Sequence, residues 1–111
     1  VIEFLVSKGS NVNEKGKKGI SPLHYASYIG HINVVEFLIS KGANVNEKDE
    51  HGNTPLKYAL KNGHLEVIKF LVSNGANINE KNEHGKTPLH YALKYQHADA
   101  EQFLKSKGAI L

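Results

Sequence analysis

Apolar positions in this chain fall into two kinds of short block that alternate along it. The first is a pair at i, i+3: Leu23 and Ala26, Leu56 and Ala59, Leu89 and Ala92. That spacing places both residues on one side of a short helix. The second block is broader: Val34, Val35, Phe37, Leu38 and Ile39, then Val67, Ile68, Phe70, Leu71 and Val72. It predicts a second helix with a wide apolar face. Polar segments such as Asn44-Val45-Asn46-Glu47-Lys48 lie between one pair of helices and the next.

Punctuation agrees with this reading. Ser21-Pro22, Thr54-Pro55 and Thr87-Pro88 each set a hydroxyl N-cap before a proline at the first helical position. Gly30 and Gly63 supply the left-handed residue that ends the first helix, and Gly42 and Gly75 close the second. The second helix starts after His31 or His64.

The markers share one period. Gly9, Gly42, Gly75 and Gly108 stand 33 residues apart, and so do Pro22, Pro55 and Pro88. Gly19, Gly52 and Gly85 keep the same step, as do His31, His64 and His97. Four independent markers on one period establish an internal repeat. Helices this short are marginal alone, because nucleation costs more than a few hydrogen bonds return. One unit cannot cover its own apolar face either, so the units must stack into a solenoid with nearest-neighbour energetics. Each buried Val, Leu, Ile or Phe then stabilises by roughly 1.5–3 kcal/mol. On this reading Phe70→Ala, in an internal unit, costs ~3–5 kcal/mol.

The motif Gly52-Asn53-Thr54-Pro55-Leu56-Lys57-Tyr58-Ala59, followed by Gly63-His64-Leu65-Glu66-Val67-Ile68-Lys69-Phe70-Leu71 and Gly75-Ala76-Asn77-Ile78-Asn79, resembles an ankyrin repeat. Thr87-Pro88-Leu89-His90 repeats the opening of that motif. The resemblance covers the whole chain. It implies an all-α solenoid of stacked helix-turn-helix units joined by β-hairpin-like loops. Residues 1–15 then form the second helix and loop of a truncated repeat, 16–48 and 49–81 are full repeats, and 82–111 form a C-terminal capping repeat. It further implies a non-enzymatic scaffold that binds a partner protein on the concave face of hairpin tips and first helices.

Departures from the pattern carry their own expectations. Lys57 stands where other units have His24 and His90. In the family that His helps tie hairpin to helix, so the third unit is expected to be held less tightly there. Gln96 replaces the helix-ending glycine. Ala98, Glu101 and Lys105 replace the apolar residues Ile32, Val35 and Ile39, or Leu65, Ile68 and Val72. Burying unpaired polar groups there would be costly, which suits a unit with nothing stacked beyond it. At the other end, Val1 to Ser7 match a second helix whose first helix is missing. The start at Val1 rather than Met also suggests that further repeats precede this chain.

Composition narrows the function classes. The chain has no cysteine, which excludes disulfides, thiolate metal sites and a cysteine nucleophile. No apolar run approaches the ~20 residues of a membrane span, the first residues do not resemble a signal peptide, and no Asn-x-Ser/Thr sequon occurs. An intracellular, cytoplasmic monomer is the expectation. The net charge of +3 is mild and every basic residue is Lys. Arginine reads guanine and clamps phosphate best, so its absence argues against nucleic acid.

No residue set points to catalysis or a cofactor. His31, His64 and His97 lie one repeat apart, about 10 Å in the family's geometry, too far to share a zinc ion at ~2.0–2.1 Å per ligand. Structural roles are expected for them and for His24 and His90. Ser40, Ser73 and Ser106 recur near the end of the second helix, where capping suffices. Asn46 and Asn79 carry two readings. One is a loop amide bonding across units. The other follows from the resemblance: hydroxylation by an iron- and 2-oxoglutarate-dependent enzyme, although Asn44 stands where an acidic residue is preferred.

Residues that vary between units while the scaffold repeats are the candidates for partner contact. They are Lys17, Lys18, Ile20, Tyr28 and Ile29; then Glu50, His51, Asn53, Lys61 and Asn62; then Glu83, His84, Lys86, Lys94 and Tyr95. An aromatic beside aliphatics on a solvent-facing surface suits a hot spot, which singles out Tyr28 and Ile29, with Tyr95 next. The same residues could instead pack on neighbouring units. Tyr25, Tyr58 and Tyr91 are constant and are expected to serve the stack. An alternative function is binding of an acidic ligand or nucleic acid through Lys17, Lys18, Lys61, Lys86 and Lys94. A structural spacer is a third.

Overall fold

The computed structural model describes residues 15–111, so the expectations placed on Val1 to Ser7 lie outside the described residues. A short 3-10 turn, Lys17–Gly19, is followed by six α-helices: α1 Pro22–Ile29, α2 Ile32–Ser40, α3 Pro55–Asn62, α4 Leu65–Ser73, α5 Pro88–Lys94 and α6 Ala98–Ser106. No strand occurs among the described residues. α1, α3 and α5 pack side by side in one layer, and α2, α4 and α6 form the second layer.

The helix ends follow from the local sequence. Pro22, Pro55 and Pro88 each occupy the first turn of their helix. The Ser21 hydroxyl accepts from the His24 N–H at 3.3 Å, and Thr87 accepts from the His90 N–H at 3.4 Å. Thr54 departs from the expected hydroxyl cap: its side chain makes no such bond, and the Lys57 N–H bonds to the Thr54 carbonyl instead. Ser40, Ser73 and Ser106 donate to the carbonyls of Phe37, Phe70 and Phe103, so each hydroxyl caps the end of its helix.

Within the layers, Leu23, Ala26, Val35, Leu38, Leu56, Ala59, Val67, Ile68, Leu71, Ala92 and Leu104 are buried. The inward stripe of the second helices is narrower than the broad apolar block implies. Val34, Phe37, Ile39, Phe70 and Val72 are only partly covered. Phe70, with Ile32, Val72 and Phe103, lines an open groove of about 650 Å³ on the second-helix side. The truncation cost expected for a buried Phe70 therefore belongs to Ile68 and Leu71, because the Phe70 ring keeps part of its surface in water.

Polar contacts join the loops. The Asp49 N–H bonds to the Asn53 carbonyl at 3.0 Å and the Asn82 N–H to the Lys86 carbonyl at 3.1 Å, closing each loop like a hairpin. Successive tips are linked by the Glu50 N–H to the Lys18 carbonyl and the Glu83 N–H to the His51 carbonyl, one backbone bond per step. The Asn46 amide donates to the Gly75 carbonyl at 3.0 Å and accepts from the Asn77 N–H at 2.8 Å. Asn79 repeats this bridge toward Gly108 and Ile110. Lys15–Glu47 and Lys48–Glu80 ion pairs run parallel to it. On α6, Lys105 pairs with Glu101 at 2.8 Å, so the two polar replacements satisfy each other at the surface.

Candidate partner-binding surface

The first-helix layer and the loops form one continuous face, and its residues are held by contacts that run between units. His24, on α1, is buried. The Ser21 N–H donates to its Nδ1 at 3.0 Å, which leaves the proton on Nε2, and Nε2 donates to the Asn53 carbonyl at 2.9 Å. Burial lowers its pKa, only partly offset by the Asn53 carbonyl, so the ring is held neutral. Its edge meets the Tyr58 ring with centroids 5.1 Å apart.

Two tyrosines of the face, Tyr58 and Tyr91, are anchored to their own loops. The Tyr58 hydroxyl donates to Asp49, whose carboxylate also accepts from the His51 and Asn53 N–H groups at 2.8 and 2.9 Å. Burial opposes ionisation of Asp49, yet these donors outweigh it and hold the carboxyl below its usual range. Burial, with the same bond, pushes the Tyr58 phenol up. One repeat on, Asn82 takes the place of Asp49: its amide donates to the Tyr91 hydroxyl at 2.6 Å and to the Asn53 side-chain oxygen at 2.9 Å. Tyr25 does not share this role. Gly16 stands where Asp49 and Asn82 stand and offers no side-chain partner, and Tyr25 is 53% exposed.

Lysines sit against these rings. Lys57, half-buried, lies 5.3 Å from the Tyr58 centroid and 5.2 Å from that of Tyr91. Lys61 lies 5.8 Å over Tyr28, and Lys94 lies 5.7 Å over Tyr95. Tyr95 stacks on Tyr91 with centroids 6.1 Å apart. Burial lowers the Lys57 pKa, and repulsion from Lys61 and Lys94 lowers it further against the pull of Asp49.

Comparison with family models decides the class. A model described as "Ankyrin repeats (3 copies)" matches residues 1–82, and one described as "Ankyrin repeats (many copies)" matches residues 62–104. The chain belongs to the ankyrin-repeat family. No match was found among curated proteins. Ankyrin repeats are in general protein–protein interaction modules. No helix among the described residues is long and apolar enough to cross a membrane.

Within this ankyrin stack the residues singled out in the sequence fall into four groups. Tyr28, Ile29, Lys61, Lys94 and Tyr95 lie on the first helices or directly after them; Tyr28 is 38% exposed, while Ile29 and Tyr95 are partly covered. Asn62 and Asn53 are engaged by the scaffold: Asn62 donates to the Tyr28 carbonyl at 2.7 Å, and Asn53 accepts from Asn82. Lys17, Lys18, Ile20 and Lys86 lie in the loops, with all three lysines exposed. At the tips, His51 contacts Glu83 at 2.8 Å and Glu50 at 3.4 Å, while His84 lies 3.5 Å from Glu83.

The recurrent histidines serve the junctions between units. His64 Nε2 donates to the Tyr28 carbonyl at 3.0 Å and His97 Nε2 to the Lys61 carbonyl at 3.3 Å. Asp49, Lys57, Tyr58 and Tyr91 were not among the residues selected by variation. A signal for the loop anchor existed, since Asp49 and Asn82 each stand nine residues before Tyr58 and Tyr91. Lys57 was visible only as a break in the histidine pattern.

Proposed function

We propose that this chain is a non-enzymatic scaffold that takes a partner protein on the face built from the loop tips and first helices. The observation that carries this reading is the exposure of Tyr25 and Tyr28 on that face, beside lysines already seated on aromatic rings. Tyrosine buries a large area at small entropic cost and is enriched in binding hot spots. Tyr28, Ile29 and Tyr95 are the proposed anchors. Lys17, Lys18, Ile20, Glu50, His51, Lys61, His84, Lys86 and Lys94 form the surround. Recovery of interacting proteins with the chain and with a Tyr28→Ala, Ile29→Ala variant tests the reading. A partner lost from the variant supports it, and identical recovered sets indicate a spacer.

Asn46 and Asn79 are proposed, through the family, as hydroxylation positions. Both amides bridge to the next unit, so modification would act on that link. Intact mass after incubation with an asparaginyl hydroxylase must rise by one oxygen atom; no shift ends the idea.

A further inference from the structure

The first-helix face carries a charge arrangement that the fold itself does not require. Lys57 occupies the position at which His24, one repeat earlier, accepts from the Ser21 N–H and donates to the carbonyl of Asn53 in the next loop. The Thr54 hydroxyl caps nothing, and with lysine at 57 the imidazole link between units is absent from the third unit. The ammonium is instead half-buried between the Tyr58 and Tyr91 rings. Lys61, one turn along α3, and Lys94, its equivalent on α5, sit on Tyr28 and Tyr95 and repel it. Among the described residues, lysines 15, 48 and 105 pair with carboxylates, whereas none of Lys57, Lys61 and Lys94 does. Three like charges on one face, one of them partly desolvated, cost stability. The two rings and the pull of Asp49 offset part of that cost, but the link that His24 makes is not replaced, and a local break of this kind marks a functional position.

We infer that Lys57, Lys61 and Lys94, seated against Tyr28, Tyr58, Tyr91 and Tyr95, form a docking site for an acidic peptide segment of the partner protein. This rests on the partner-binding reading above and gives that partner a chemistry. A carboxylate on a flexible side chain can reach the recessed Lys57 ammonium, while the rings receive the apolar part of the segment. Nucleic acid fits less well. The face has no arginine, and its loop tips carry the exposed carboxylates of Glu50 and Glu83, which repel a continuous polyanion. A short peptide can avoid the tips.

The test is selection of random short peptides on the immobilised chain, followed by affinity measurements on the selected peptides. The expected result is enrichment of Asp and Glu over the starting library. Each selected peptide should bind ~10-fold or more weakly to Lys57→Gln and Lys94→Gln and unchanged to Lys69→Gln, an exposed lysine of α4 in the second-helix layer. Lys57→His should weaken binding similarly while melting no lower than the parent, which separates lost recognition from lost folding. Selected peptides without acid enrichment, or affinity unaffected by Lys57→Gln, overturn the inference. A single-stranded oligonucleotide that binds more tightly than the peptides also overturns it. If non-acidic peptides are selected and lose affinity on Tyr28→Ala, only this inference falls. If neither Tyr28→Ala nor Lys57→Gln changes binding, the partner-face reading falls with it.

Discussion

The imidazole of His64 lies directly against Gly30: a Cβ on Gly30 would come within 2.4 Å of His64 Nδ1, while Nε2 donates to the Tyr28 carbonyl at 3.0 Å. Gly30 is also left-handed, at φ 78°. Two requirements, a backbone conformation and a close approach, therefore meet at one residue. His97 and Gly63 repeat the relationship. Gln96, at the equivalent position of the last unit, is left-handed at φ 60° with no following histidine on it among the described residues.

Gly30→Ala should accordingly destabilise by ~2–4 kcal/mol, combining left-handed strain with displacement of the His64 ring. Gln96→Gly should raise stability by less than about 1 kcal/mol, since relief of strain is offset by the freedom glycine adds to the unfolded chain. Urea unfolding of both variants checks the contrast. Equal and opposite effects would mean that His64 contributes nothing at Gly30.

Leu71→Ala should cost ~2–5 kcal/mol, because Leu71 is fully buried between the layers. Phe70→Ala should cost less than Leu71→Ala, since its ring lines an open groove. Thermal melts of the two variants rank them, and a larger loss for Phe70→Ala would place the ring in the core after all.

Ser27 is buried and, among the described residues, its hydroxyl has no hydrogen-bond partner. Leaving a polar group unsatisfied costs ~1–3 kcal/mol, so removing it returns part of that. Ser27→Ala should raise the melting temperature, by about 1 kcal/mol in stability. A drop in melting temperature would show that the hydroxyl is satisfied in solution.

Two acid transitions in stability are expected. His24 has a lowered pKa when folded, so its contribution is complete above the ordinary value of 6.5 and declines as pH falls below it. Asp49 is likewise lowered when folded; its contribution is complete above 3.8 and is lost as pH falls through the folded value. Asn82 shows that an amide fits the Asp49 position in the loop. Asp49→Asn should therefore abolish part of the loss below about pH 4 and leave the upper transition in place. Denaturation midpoints across pH for the two proteins decide this. Unchanged acid sensitivity in Asp49→Asn would remove the assignment.

What the sequence determined is the unit and its repetition. The proline and glycine markers at a period of 33 residues act through local geometry: a fixed φ and a left-handed residue. Such requirements are written residue by residue and can be read without neighbours. The sites of Lys61, Lys94 and Tyr28 on the first-helix face were legible for the same reason, since helical spacing assigns faces. Only the stacked structure decided that Phe70 and Val72 lie at an edge while Ile68 and Leu71 are buried, because burial depends on which element covers which side. It also decided that Tyr25 is exposed whereas its equivalent Tyr91 is 7% exposed: Tyr91 bonds to Asn82, stacks on Tyr95 and lies under Lys57, while Gly16 offers Tyr25 no side chain. The seat of Lys57 between two tyrosines from successive repeats is the clearest case. One ring is its sequence neighbour, but the other is brought to it only when one repeat stacks on the next.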